Sequence, residues 1–166
     1  MYNELTKNDI KKMQEEIEHR IHVVRKEALE DVKTARAHGD LSENFEYHAA
    51  KREKNRNESR IRYLQKMIKT ATVISDDSAA DEVGINNTVD LYFEDDDCIE
   101  TYKIVTTIRS DSLEGYVSIE SPLGKAVLGH KVGDRVLVEV NSNVQYYVEI
   151  KSIVNSDDSE DKIQSY

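Results

Sequence analysis

Apolar positions early in the chain recur at helical intervals. Ile10, Met13, Ile17, Ile21, Val24, Ala28, Val32 and Ala35 are separated by steps of 3, 4, 4, 3, 4, 4 and 3, which gathers them on one face of a long helix. After an interruption, Tyr47, Ala50, Lys54, Asn57, Ile61, Leu64, Ile68 and Ala71 step by 3 and 4 alternately, a heptad seam with two polar positions. Between the stripes runs Ala37-His38-Gly39-Asp40-Leu41-Ser42-Glu43, where Gly39, the only glycine before Gly84, supplies the left-handed geometry that often ends helices. Each stripe is narrow and the connection short, so the two helices become antiparallel neighbours that bury their stripes against each other. The pattern therefore predicts a coiled-coil hairpin over residues 1–75 with its tip at about 38–44, an arm roughly 40 Å long at about 1.5 Å per residue. Lys54 and Asn57 either fix register or mark a splayed, wetter segment near the tip; the splay is the reading favoured here.

The pattern changes beyond the hairpin. Residues 76–84, acidic and small, read as a linker. Val89–Phe93, Ile99–Ile108, Tyr116–Ile119, Val136–Val140 and Val144–Val154 are rich in β-branched and aromatic residues and separated by turn signals, which predicts antiparallel strands in a second domain over 85–155. Ser121-Pro122 sets a capping residue before a proline suited to a first helical turn, so 121–129 reads as a loop entering a short helix. The acidic tail, 156–166, is expected to be disordered. The fold class is α+β.

Composition narrows the functions open to such a chain. Of 166 residues 34% are charged and 38% apolar, which suits long solvated helices beside a small compact module. No stretch resembles a membrane span, and the polar N-terminus lacks the apolar core of a signal peptide, so a cytoplasmic protein is expected. The single cysteine, Cys98, has no partner for a disulfide or a zinc site and reads as a buried thiol. Residues 1–75 carry 16 Lys and Arg against 13 Asp and Glu, a balance of +3, whereas 76–166 carry 7 against 20, a balance of −13. A chain this acidic is excluded from binding free duplex DNA through a broad basic face, because that affinity comes from neutralising phosphates. Contact with nucleic acid has to be local.

Candidate chemistry concentrates at the hairpin tip. Asp40 and Glu43 stand three positions apart, a spacing that puts two side chains on one helical face and lets two carboxylates share one hard cation such as Mg²⁺, which takes oxygen ligands and completes its shell with water and phosphate. Two carboxylates alone make a weak site. Asp-x-x-Glu is also the pattern of a capping box, in which both side chains satisfy free backbone amides, and spacing does not separate the two readings. Just past the tip, Lys51, Arg52, Lys54, Arg56, Arg60 and Arg62 form a basic run interrupted by Glu53 and Glu58. That run is either a solvated face with internal ion pairs or a contact for a nucleic-acid backbone. His38 and His48 flank the tip and are assigned no role.

Residues 35–54, ARAHGDLSENFEYHAAKREK, closely resemble the tip signature of the Gre transcript cleavage factors, the GreA branch in particular. Residues 121–134, SPLGKAVLGHKVGD, resemble that family's second signature. The resemblance implies a coiled-coil N-terminal domain and an FKBP-like antiparallel sheet domain with a short helix. It implies that the arm enters the secondary channel of bacterial RNA polymerase, where Asp40 and Glu43 match the pair that helps hold the second Mg²⁺ at the polymerase's own active site. The chain would then be an accessory factor, a monomer that meets the nascent RNA 3′ end in a backtracked complex and stimulates the polymerase's own Mg²⁺-dependent cleavage of that RNA, and no enzyme by itself. Lys51 matches a basic position facing the RNA, Arg52 and Arg56 lie beside it, and Ser121, Pro122 and Leu123 match the loop that docks on the polymerase. Phe45 departs from the family, which has a small residue there. Arg25-Lys26-Glu27 lacks a common proline, and Asn141-Ser142-Asn143 replaces a glycine turn.

Three other functions compete. A regulator of the same architecture would occupy the channel and inhibit without cleavage, but such relatives alter the tip and GDLSEN here matches the cleaving pattern. A peptidyl-prolyl isomerase or chaperone would want an aromatic-lined pocket, and residues 76–166 offer only Phe93 and several Tyr without an obvious cluster in the sequence. A coiled-coil scaffold leaves SPLGKAVLG unexplained.

Overall fold

A computed structural model describes residues 3–39 and 43–165. The chain divides into two compact units, an arm of Ile10–Ala71 and a sheet unit that combines 3–9 with 72–165.

The arm rests on α1 (Lys7–His19), a π-helical turn (Arg20–Val24), α2 (Arg25–Ala37) and α3 (Phe45–Thr70). Both predicted stripes turn inward: Met13, Ala28, Ala35, Tyr47, Asn57, Ile61 and Leu64 are buried, and the remaining stripe positions are half-buried. Seven steps of the first stripe span 25 residues, Ile10 to Ala35, and seven of the second span 24, Tyr47 to Ala71. The π turn is a one-residue insertion into an α-helix, and beyond it Ala28 and Ala35 are buried.

Asn57 sits opposite that turn and corrects the expectation of a splayed, wet seam. It is 3% exposed, accepts from Arg20 Nη1 at 3.1 Å and donates to the Arg20 carbonyl at 3.3 Å. Glu16 takes Arg20 Nε at 2.8 Å and both Nε and Nη2 of the buried Arg60, at 2.9 and 3.2 Å. Burial works to raise the Glu16 pKa, but the hydrogen bonds from Arg60 and Arg20 outweigh it and hold the carboxyl below its ordinary range. A buried polar seam position whose oxygen and nitrogen are both hydrogen-bonded fixes register.

In the sheet unit, β1 (Glu4–Leu5) pairs in parallel with β2 (Thr72–Val73). The main sheet holds β3 (Asn87–Phe93), β4 (Cys98–Val105), β5 (Tyr116–Ser118), β6 (Arg135–Asn141) and β7 (Val144–Asn155) in the order β5-β4-β3-β7-β6, with α4 (Pro122–Val127) against it. Alternation sends Val89, Leu91, Val136, Val138, Val148 and Ile150 into one core with Val127. Four of the five predicted strands pair antiparallel, but β4 and β5 are parallel. The connection between them, with a 3₁₀ turn at Thr107–Arg109, carries the chain back before β5 starts, as a parallel pair requires. Cys98, the expected buried thiol, is half-buried on β4.

Two expectations about the acidic segments are overturned. Within 76–84, the expected linker, Val83 is 1% exposed in the core and Glu82 bridges Lys131. A Cβ on Gly84 would lie 2.2 Å from Ser78 Oγ. The tail is likewise attached: the Gln164 amide donates to the Ile108 carbonyl at 2.7 Å, and Asp161 is 6% exposed. Asp161 takes Lys103 Nζ at 2.8 Å and Arg109 Nη1 at 2.7 Å. Arg109, 1% exposed, also donates to Asp9 at 2.6 Å and to Asn86 at 2.7 Å. Asp9 in turn closes a reciprocal cap with Thr6 at the start of α1. Acidity that signals disorder in isolation here neutralises buried cations.

Candidate functional site

The tip is built by the ends of α2 and α3. The His38 amide bonds the Ala35 carbonyl at 3.2 Å as α2 ends, and Gly39 follows with φ +152°, a backbone that residues with a side chain rarely adopt. Asp40 lies outside the described residues, with Leu41 and Ser42. Glu43 stands in a turn, exposed to solvent.

The residue that begins α3 is Asn44. Its side-chain oxygen accepts from the Tyr47 amide at 3.0 Å, and its Nδ2 donates to the Ala35 carbonyl at 2.6 Å, tying the two helix ends together. The capping role that Asp-x-x-Glu could have played is thus filled for α3 by Asn44, and Glu43 precedes the cap. Sequence reasoning passed over Asn44, although Asn directly before the stripe is itself a helix-start signal. Tyr47, 9% exposed, packs this end of the seam with the Arg36 guanidinium 5.4 Å from its ring centroid. The hydrogen bond with Arg36, aided by the nearby Lys51 and Lys54, holds the Tyr47 hydroxyl below its ordinary pKa. Across the turn the exposed His38 Nδ1 lies 3.0 Å from Glu46 Oε2.

The basic run separates into two kinds of residue. Arg60 is buried against Glu16 and holds the seam. Lys51, Arg52 and Arg56 are exposed on α3. The Arg56–Glu53 contact, 3.6 Å with both side chains about 70% exposed, is too wet to bind Arg56 strongly. Phe45, the first residue of α3, is 86% exposed.

The second signature forms a separate feature in the sheet unit. Ser121 caps α4: its Oγ accepts from the Gly124 amide at 3.1 Å and donates to the Ser118 carbonyl at 2.6 Å. Pro122 takes the first helical turn, and Leu123 packs on the core. A Cβ on Gly124 would fall 1.9 Å from the Ser118 carbonyl oxygen, so only glycine permits this loop its close approach.

Among the described residues no three His, Cys, Asp or Glu gather to hold a metal ion, and no helix is long and apolar enough to cross a membrane. Glu43 offers a hard oxygen donor of the kind Mg²⁺ accepts, and at most it completes a site assembled elsewhere.

Comparison with known proteins agrees over both units. The model of the family "Transcription elongation factor, N-terminal" matches residues 3–73, and that of "Transcription elongation factor, GreA/GreB, C-term" matches 77–155. The transcription elongation factor GreA of Thermoanaerobacter pseudethanolicus is 45% identical over 141 residues, covering 84% of this chain and 90% of that protein. GreA of Macrococcus caseolyticus is 41% identical over 149 residues, 90% and 94% of the two chains. The GreA factor homolog 1 structure of Thermus thermophilus aligns with 93% of this chain and 100% of its own, at 24% identity and a TM-score of 0.42. Both signatures fall inside the matched segments, and the chain belongs to the GreA/GreB family of transcription elongation factors, on its GreA branch.

Proposed function

We propose that this elongation factor inserts its arm into the secondary channel of bacterial RNA polymerase and stimulates the polymerase's own cleavage of backtracked nascent RNA. One observation carries the reading: Asn44, not Glu43, caps α3, and Glu43 stands exposed at the tip. Glu43, with Asp40 three residues before it, supplies carboxylate oxygens to a Mg²⁺ whose other ligands belong to the polymerase. Such an ion would activate water and stabilise the leaving oxygen of the phosphodiester. The chain's own residues deliver and orient these oxygens, while Lys51, Arg52 and Arg56 face the RNA backbone and Ser121, Pro122 and Leu123 dock on the enzyme. The factor is accessory to the polymerase and acts as a monomer.

The test is a backtracked elongation complex with 5′-labelled RNA and Mg²⁺. Addition of the protein is expected to shorten the transcript, and Asp40→Asn or Glu43→Gln to abolish shortening while binding to the polymerase survives. Binding without cleavage by the intact protein would overturn the reading and leave a channel-occupying inhibitor.

A further inference from the structure

Phe45 has no work in the fold. At 86% exposure it leaves unburied a ring whose burial is worth about 2–3 kcal/mol. The helix start beside it is held by Asn44, and the seam by Tyr47. Its placement on α3 is specific. At 100° per residue, positions 52 and 56 fall within about 20° of position 45, so Phe45, Arg52 and Arg56 form one row about 16 Å long. All three are exposed, and the row points away from the buried Tyr47, Asn57 and Ile61. An aromatic ring followed by cations along one solvent-facing row is the arrangement that single-stranded nucleic acid uses: bases stack on rings, and phosphates follow the cations.

We propose that Phe45 is a stacking platform for an RNA base beside the scissile phosphate, with Arg52 and Arg56 taking phosphates further along the same strand. This rests on the proposed cleavage function and adds a contact to the substrate. Phe45 positions the RNA and takes no part in the chemistry.

The experiment uses the full-length protein on a backtracked complex, comparing Phe45→Ala, Phe45→Leu and Phe45→Trp. Stacking by alanine substitution corresponds to roughly 5- to 160-fold, so Phe45→Ala is expected to lower cleavage efficiency within that range, Phe45→Leu nearly as much, and Phe45→Trp little. Because Phe45 is exposed, all three should keep the wild-type melting temperature. An abasic nucleotide next to the cleaved bond should erase the difference between wild type and Phe45→Ala. Full activity of Phe45→Leu would overturn the proposal and assign the ring to an apolar contact with the polymerase. Equal activity of Phe45→Ala would overturn it altogether. Absence of cleavage by the wild-type protein would instead count against the underlying function, which keeps the two failures distinct.

Discussion

Arg109 in the sheet unit and Glu43 at the arm's tip are both charged, and their surroundings differ in every respect. Arg109 is 1% exposed and is held by Asp9, Asp161 and Asn86 at 2.6 to 2.7 Å, with its Nη2 alone lacking a hydrogen-bond partner. Glu43 stands in solvent, just ahead of a helix start that Asn44 already completes. A charge that is buried and paired acts on the fold, since removing its partner strands an ion in low dielectric. One that is exposed costs the fold nothing to keep or to lose and is free to meet a partner from outside. The contrast is between a charge on which the fold depends and one that it leaves in solvent.

Breaking the buried cluster is the harshest way to sharpen that contrast. Arg109→Met strands Asp9 and should destabilise the sheet unit by about 3–5 kcal/mol, read as a fall in the urea midpoint. Acid should attack the same cluster. Burial tends to raise the Asp161 pKa, but Lys103 and Arg109 outweigh it and lower the value below 3.8. A folded pKa below the unfolded one means that this stability is present above about pH 4 and is lost as pH falls through the folded value; stability measured from pH 6 down to 2 should show the loss, and Asp161→Asn should flatten it. Gly124→Ala forces a Cβ onto the Ser118 carbonyl and should cost roughly 1–3 kcal/mol, with chemical-shift changes at Ser121–Leu123. In the arm, Asn57→Ala leaves the Arg20 guanidinium and carbonyl short of a partner and should cost about 1–3 kcal/mol, seen as a lower melting temperature of the helical signal. Smallest is Asn44→Ala, about 1 kcal/mol for a lost cap, visible as earlier amide exchange at Tyr47.

The arm was readable in advance because its stripes repeat over many turns, whereas the π turn was not, since seven steps over 25 residues match the ordinary helical period. The strands were readable because their alternation is strong. Sequence failed where a residue's role depends on a partner distant along the chain. Asn57 looked like a wet interruption until Arg20, 37 positions away, satisfied it. The tail looked disordered because its acidity has value only beside Lys103 and Arg109, more than fifty positions earlier. The direction of β5 was hidden because periodicity is the same for parallel and antiparallel strands. At the tip, the motif was plain, yet cap and ligand share one spacing; Asn44 takes the cap of α3, and Asp40 lies outside the described residues.

The most direct measurement pairs transcript cleavage with thermal unfolding for Glu43→Gln, Asn44→Ala serving as the contrast. Glu43→Gln is expected to lower cleavage by about a hundredfold or more and to leave the melting temperature of the free protein unchanged, while Asn44→Ala loses stability. Retained cleavage by Glu43→Gln, with a stability loss of about 1 kcal/mol typical of a missing cap, would contradict the account and return Glu43 to the fold.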